Sequence, residues 1–84
     1  MTPRIPRGVS GEVLISRLAD FDYAPTRRSG SHVRLTTSKN GVHHVTVPLH
    51  RSLKVGTLSG ILAEVAEHLE ISKADLITRI FERS

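Results

Sequence analysis

An 84-residue chain with a net charge of +4 and no cysteine has room for one domain with a thin core, and it excludes disulfides and thiolate metal sites. No apolar run approaches the roughly 20 residues of a membrane helix, and the opening Met1-Thr2-Pro3-Arg4-Ile5-Pro6-Arg7 lacks the apolar stretch of a secretory signal, so a single cytoplasmic domain over residues 1–84 is expected. The charge is segregated: from Tyr23 to Ala63 there is no Asp or Glu, while Arg27, Arg28, Arg34, Lys39, Arg51 and Lys54 fall there with His32, His43, His44 and His50, a block that attracts polyanions.

Residues 1–9 read as a loose, proline-fixed arm. Ser10 is a good N-cap for a helix from Gly11 to Ala19 or Asp20, with Leu14, Leu18 and Phe21 on one stripe and Val9 placed to staple onto Leu14. An extended piece from Asp22 to Arg28 follows, and Pro25, which has no backbone donor, assigns it to a sheet edge. Next comes a hairpin in which Val33 and Leu35 alternate with His32, Arg34 and Thr36, and Val45 and Val47 alternate with His44 and Thr46. If the two valine-containing rows share the buried face, paired residue numbers sum to 80, and Lys39-Asn40-Gly41 makes the three-residue turn that this demands. The register sets His32 opposite Pro48, Arg34 opposite Thr46 and Thr36 opposite His44, all on the face away from the core.

A loop from Leu49 to Gly56 leads to a second helix capped by Thr57, with Leu58, Ile61, Leu62, Val65, Ala66 and Leu69 at helical spacing. Ser72 caps an additional C-terminal helix over residues 72–82, with Asp75 completing a capping box and Ile71 a staple onto Leu76. Helix, three strands, helix, helix is the order of an α+β fold, a sandwich of two layers with an antiparallel three-stranded sheet covered on one face.

The chemistry of the open sheet face narrows the function. Magnesium needs hard oxygen ligands, and the cationic block offers no carboxylate; His43 and His44, adjacent on a strand, point to opposite faces and cannot share a zinc ion. No metal site and no cofactor are therefore expected. Cleavage of RNA without a metal suits what is present, because RNA carries its own nucleophile in the 2′-hydroxyl. The protein then has only to move protons, a task for histidine, and to stabilise the phosphorane, a task for arginine or lysine. A non-catalytic RNA-binding module using the same basic face is the alternative, as is a surface that only docks an acidic partner. Aromatics for base stacking are scarce, so an RNA contact here is one of backbone and 2′-hydroxyls. Among the histidines, His43 belongs at the rim of the core, His68 is solvated on an acidic helix, and His44 stands roughly 13 Å from His32 at about 3.3 Å per residue. His32 and His50 remain as the two candidates.

The run Arg28-Ser29-Gly30-Ser31-His32 entering a strand, then Val45-Thr46-Val47-Pro48-Leu49-His50, then Val55-Gly56-Thr57-Leu58 opening a helix resembles the HicA toxins, with Ile5-Pro6 and Val9-Ser10-Gly11 similar to the start of many members. The similarity covers roughly Ile5 to Leu62. It implies a double-stranded-RNA-binding-domain-like fold and an mRNA interferase of a type II toxin–antitoxin system, with His32 of the Gly-Ser-His motif as the catalytic residue. Arg28, Ser31, Arg34, His50, Arg51 and Lys54 are then the candidates for RNA binding. It further implies a HicB-type antitoxin covering the His32 face, and operator DNA only indirectly, through that antitoxin. Two departures stand out: Asp20-Phe21 where many members have a glycine before the phenylalanine, and a C-terminal segment from Glu64 that runs longer than in the shortest members.

Overall fold

The computed structural model describes residues 4–82 and has the expected element order. Helix α1 spans Gly11–Leu18, strands β1, β2 and β3 span Ala24–Ser29, His32–Thr37 and His43–Pro48, and helices α2 and α3 span Val55–Leu69 and Lys73–Phe81. The strands form one antiparallel sheet in the order β1-β2-β3, so β2 is central and the proline-bearing β1 is an edge. One face of the sheet is covered: Val33, Leu35, Val45 and Val47 join Leu14 and Leu18 of α1, Leu58, Leu62 and Val65 of α2, and Leu76 and Ile80 of α3 in a single core. This is the two-layer α+β architecture, consistent with a double-stranded-RNA-binding-domain-like fold.

The sum-to-80 register holds at every pair from His32↔Pro48 to Thr37↔His43. At its turn both Asn40 (φ 58°) and Gly41 (φ 97°) adopt left-handed backbone, the conformations that asparagine and glycine tolerate best. Ser10 accepts the Val13 N–H at 3.1 Å, and Ser72 accepts the Asp75 N–H at 3.0 Å, so both predicted caps form. The second half of the capping box does not: the Asp75 carboxylate instead pairs with Arg79 one turn on, at 3.0 Å.

Four boundaries differ from the sequence reading. Helix α1 tightens into a 3₁₀ turn over Ala19–Phe21 and closes on Asp22 at φ 65°, so the left-handed residue after the first helix is an aspartate. Strand β1 begins two residues later than expected and ends at Ser29. Helix α2 begins at Val55 with Lys54 as its N-cap residue, not at Thr57, because Leu53 is buried (4%) and its N–H donates to Val9 O at 2.7 Å. That anchor aims the chain so that the Leu58 N–H reaches Lys54 O, and Gly56 and Thr57 lie within the first turn. The N-terminal arm is tied down by the same bond: Val9 is buried and Ile5 packs on the core, while residues 1–3 lie outside the described part. The C-terminal helix packs on the core through Leu76, Ile77 and Ile80, and Arg17 of α1 donates to its Ile80 carbonyl at 3.2 Å.

Candidate functional site on the open sheet face

His32 is the first residue of the central strand, and the geometry of the preceding turn explains the residues around it. Ser29 pairs with His32 across a two-residue connection, Gly30-Ser31, and of these two Gly30 alone has positive φ, 59°. Glycine at the first central position is the requirement of a type II′ hairpin turn, so Gly30 is there for the backbone. Arg28 Nε donates back to the Gly30 carbonyl at 3.1 Å, and Leu49 N–H donates to Ser31 O at 2.6 Å, fixing the turn from both sides. The lateral neighbours of His32 are therefore Ser29 and Pro48, and the imidazole is exposed.

The open face is built of three rows across the sheet. Ser29, His32 and Pro48 make the first, Arg27, Arg34 and Thr46 the second, and Ala24, Thr36 and His44 the third. Thr26 is an extra residue at a bulge between Pro25 and Arg27. The two-residue turn sets Arg28 opposite Val33 and Arg27 opposite Arg34, and the bulge shifts the strand upstream so that Pro25 faces Leu35 and Ala24 faces Thr36. In the third row, Thr26 Oγ1 and Thr36 Oγ1 are 2.7 Å apart, and Thr36 Oγ1 and His44 Nδ1 are 2.7 Å apart. These rows carry no carboxylate.

The candidate residues do not all gather on this face. His32 and Arg34 share it, and Ser31 lies in the turn at its end. Arg28 sits at the rim in the Val33 row, with its Nε engaged on the turn. His50, Arg51 and Lys54 are exposed in the loop after β3, but that loop is bound to the helix layer: the Gly11 N–H donates to His50 O at 2.9 Å, and Leu53 is tied to Val9. His50 thus leaves the sheet just past Pro48, and Lys54 starts α2. Arg27 had no assigned role, because β1 is exposed throughout and no hydropathy alternation marks which of its residues share the face of His32.

His43 sits at the core rim, as expected: its Nδ1 is 2.8 Å from the hydroxyl of Tyr23, and its ring stacks on His68 at 4.4 Å. Tyr23 is 1% exposed, and burial first, then the negative charge of Glu64, pushes its hydroxyl up to about 12. A buried phenol O–H needs an acceptor, and Nδ1 of neutral His43 is the one in reach. Burial of His43 and, next, the neighbouring His68 hold its imidazole below the ordinary 6.5, against the opposing pull of Glu64. The expectation that His68 is simply solvated is overturned. Its Nε2–H donates to the carbonyls of Lys39 (2.8 Å) and Gly41 (2.9 Å), and Asn40 Nδ2 donates back to the His68 carbonyl at 2.8 Å. It clamps the β2–β3 turn to the end of α2. Among the described residues, no three of the His, Asp and Glu side chains gather as a metal-binding group, and no helix is long and apolar enough to cross a membrane.

Comparison with known proteins gives one family. The family model for the HicA toxin of bacterial toxin–antitoxin systems matches residues 11–66, which takes in α1, the whole sheet and most of α2, and leaves α3 outside. No curated protein and no solved structure gives a match.

Proposed function

Since the chain belongs to the HicA family of toxins from bacterial toxin–antitoxin systems, we propose that it is a metal-independent endoribonuclease, an mRNA interferase, with His32 exchanging protons during cleavage. The observation that carries this reading is the placement of His32: an exposed imidazole opening the central strand of a carboxylate-free, cationic sheet face. In the reaction the 2′-oxygen forms a bond to the adjacent phosphorus and the bond from phosphorus to the 5′-oxygen breaks. His32 takes the 2′-hydroxyl proton and returns a proton to the departing 5′-oxygen, leaving a cyclic phosphate and a 5′-hydroxyl end. Arg34, one row along the same face, stabilises the charge on the phosphorane. Arg28, Ser31, His50, Arg51 and Lys54 border the face and contact the flanking backbone.

Acid–base catalysis by one group contributes typically about 10²- to 10⁴-fold, so turnover is slow, which suffices for a toxin that arrests growth. As a toxin of this family the chain has an antitoxin partner; in this reading it is of the HicB type and covers the His32 face, and operator DNA is bound only through it. The reading places the protein in the cytoplasm, where its mRNA substrate lies.

The test is cleavage of RNA by the purified chain in EDTA, with His32→Ala alongside. Fragments with 5′-hydroxyl ends from the wild type and none from the variant are expected. Cleavage by His32→Ala would remove His32 from its role. Intact RNA with a salt-sensitive gel shift from the wild-type chain would make it a non-catalytic RNA-binding module instead.

A further inference from the structure

His44 lies outside the reaction at His32, yet the fold holds it with unusual care for an exposed side chain. Thr26, Thr36 and His44, one from each strand, form a continuous hydrogen-bonded ladder with 2.7 Å steps, and Thr26 Oγ1 also reaches the Arg34 carbonyl at 3.4 Å. Each hydroxyl has one proton to give, so the arrangement that satisfies every contact runs one way. His44 Nδ1–H donates to Thr36, Thr36 to Thr26, and Thr26 to the Arg34 carbonyl. That leaves His44 Nε2 as the ring's free edge, which donates to an anion in the imidazolium form, where both ring nitrogens carry a proton.

Between this ladder and the His32 row stands the row of Arg27 and Arg34. Successive rows on one face are two residues apart, about 7 Å at about 3.3 Å per residue, a spacing comparable with that of neighbouring phosphates on an extended single strand. The cation nearest the far end of the sheet, Lys39, is 3.8 Å from Asp22. The cations among these three rows are therefore Arg27 and Arg34 of the middle one, flanked by His32 and His44.

We propose that the open face is a track for one strand of RNA, with Arg27 and the His44–Thr36–Thr26 ladder receiving the two phosphates that follow the one at His32, while Arg34 stays with the scissile phosphate. This rests on the RNA-cleaving reading and extends it: His44 and Arg27 select a substrate of at least three consecutive phosphates, in an unpaired, extended strand. A double helix does not fit the requirement, since its phosphates follow a curved groove rather than a straight row along β2. His44 is a binding residue here, too far from His32 to share its phosphate.

Oligonucleotides with 2′-O-methyl groups, which cannot be cleaved through a 2′-hydroxyl, separate binding from catalysis. With the wild-type full chain, affinity is measured for a dinucleotide and for oligomers lengthened one nucleotide at a time at either end. Affinity is expected to rise several-fold for each of two nucleotides added at one end, the salt slope steepening by about 0.7 at each step. Arg27→Ala should shrink the first increment, and His44→Ala and Thr36→Val the second, while Arg79→Ala, on α3 away from the face, should leave both unchanged. Increments that persist in His44→Ala and Thr36→Val, or that fall equally in Arg79→Ala, overturn the track and leave cleavage at His32 standing. No affinity for any length, together with no cleavage of unmodified RNA, defeats the RNA reading itself. Unfolding midpoints of the variants confirm that each is compared as a folded protein.

Discussion

Gly11, the first residue of α1, stands so close to the strand end that a Cβ placed on it would lie 2.0 Å from the carbonyl oxygen of Pro48. Pro48 is the cross-strand partner of His32, so this contact ties the start of the first helix to the strand end beside the candidate catalytic residue. Backbone lies on both sides of the gap, with Leu49 Cα at 3.1 Å, and no side chain can turn aside to make room. Gly11→Ala must push α1 off the sheet and break the bond from Gly11 N–H to His50 O. The expected loss is about 2–4 kcal/mol of unfolding free energy, read by urea denaturation. A midpoint equal to that of the wild type would show that the contact is not rigid.

His68→Ala is expected to loosen the turn over residues 38–42 without disturbing the other end of the hairpin. The variant loses the shared Nε2–H donation to Lys39 O and Gly41 O and the stack on His43, worth about 1–2 kcal/mol together. Hydrogen exchange should show faster exchange at the turn amides, while amides of β2 and β3 next to His32 keep their protection. Uniform acceleration over the whole sheet would mean that the clamp supports global stability and not the turn.

That clamp marks the limit of what the sequence makes legible. The alternation of Val33, Leu35, Val45 and Val47 with polar partners, together with Asn40-Gly41, fixes the β2–β3 register completely, because a side-chain period of two leaves one solution when one face is buried. The apolar stripes of α2 and α3 and the two serine caps are equally local signals, and all are present. His68 lies 27 residues from Gly41 in the chain, and no periodic pattern links a helix C-terminus to a distant turn. The bulge at Thr26 is invisible for a related reason: every residue of β1 is exposed, so a one-residue insertion violates no hydropathy pattern, yet it decides that Ala24 rather than Pro25 joins Thr36. Thr57 is a good cap locally, whereas the tertiary anchor at Leu53 sets the start of α2 at Val55. Of the site, the face shared by His32 and Arg34 was readable, and the separation of Arg51 and Lys54 from it was not.

Glu70→Gly is expected to stabilise the protein. Helix α2 ends on Glu70 at φ 59°, with Ile71 N–H donating to Ala66 O at 3.1 Å, a left-handed closure that glycine adopts without steric strain. The glutamate also places negative charge at the negative end of the helix dipole. Removing both penalties should add about 1 kcal/mol, visible as a higher midpoint in thermal unfolding. A lower midpoint would mean that the Glu70 side chain makes a contact of greater worth.

Acid should weaken the fold through His43, and the sign follows from its surroundings. Burial and the proximity of His68 depress its folded-state value below the ordinary 6.5, and a proton arriving on Nδ1 would also displace the hydrogen bond from Tyr23, whose hydroxyl, pushed up to about 12, cannot ionise to compensate. Well above the unfolded-state value both states hold the ring neutral, and His43 adds no pH dependence. As the pH falls through that value the unfolded chain takes up a proton that the native chain resists, so stability declines until the pH passes below the depressed folded-state value, where the loss is complete. Urea midpoints between about pH 8 and about pH 5 should therefore drop more for the wild type than for His43→Gln, which can still accept from Tyr23 but does not titrate. Parallel curves for the two proteins would show that the acid sensitivity of the fold arises elsewhere.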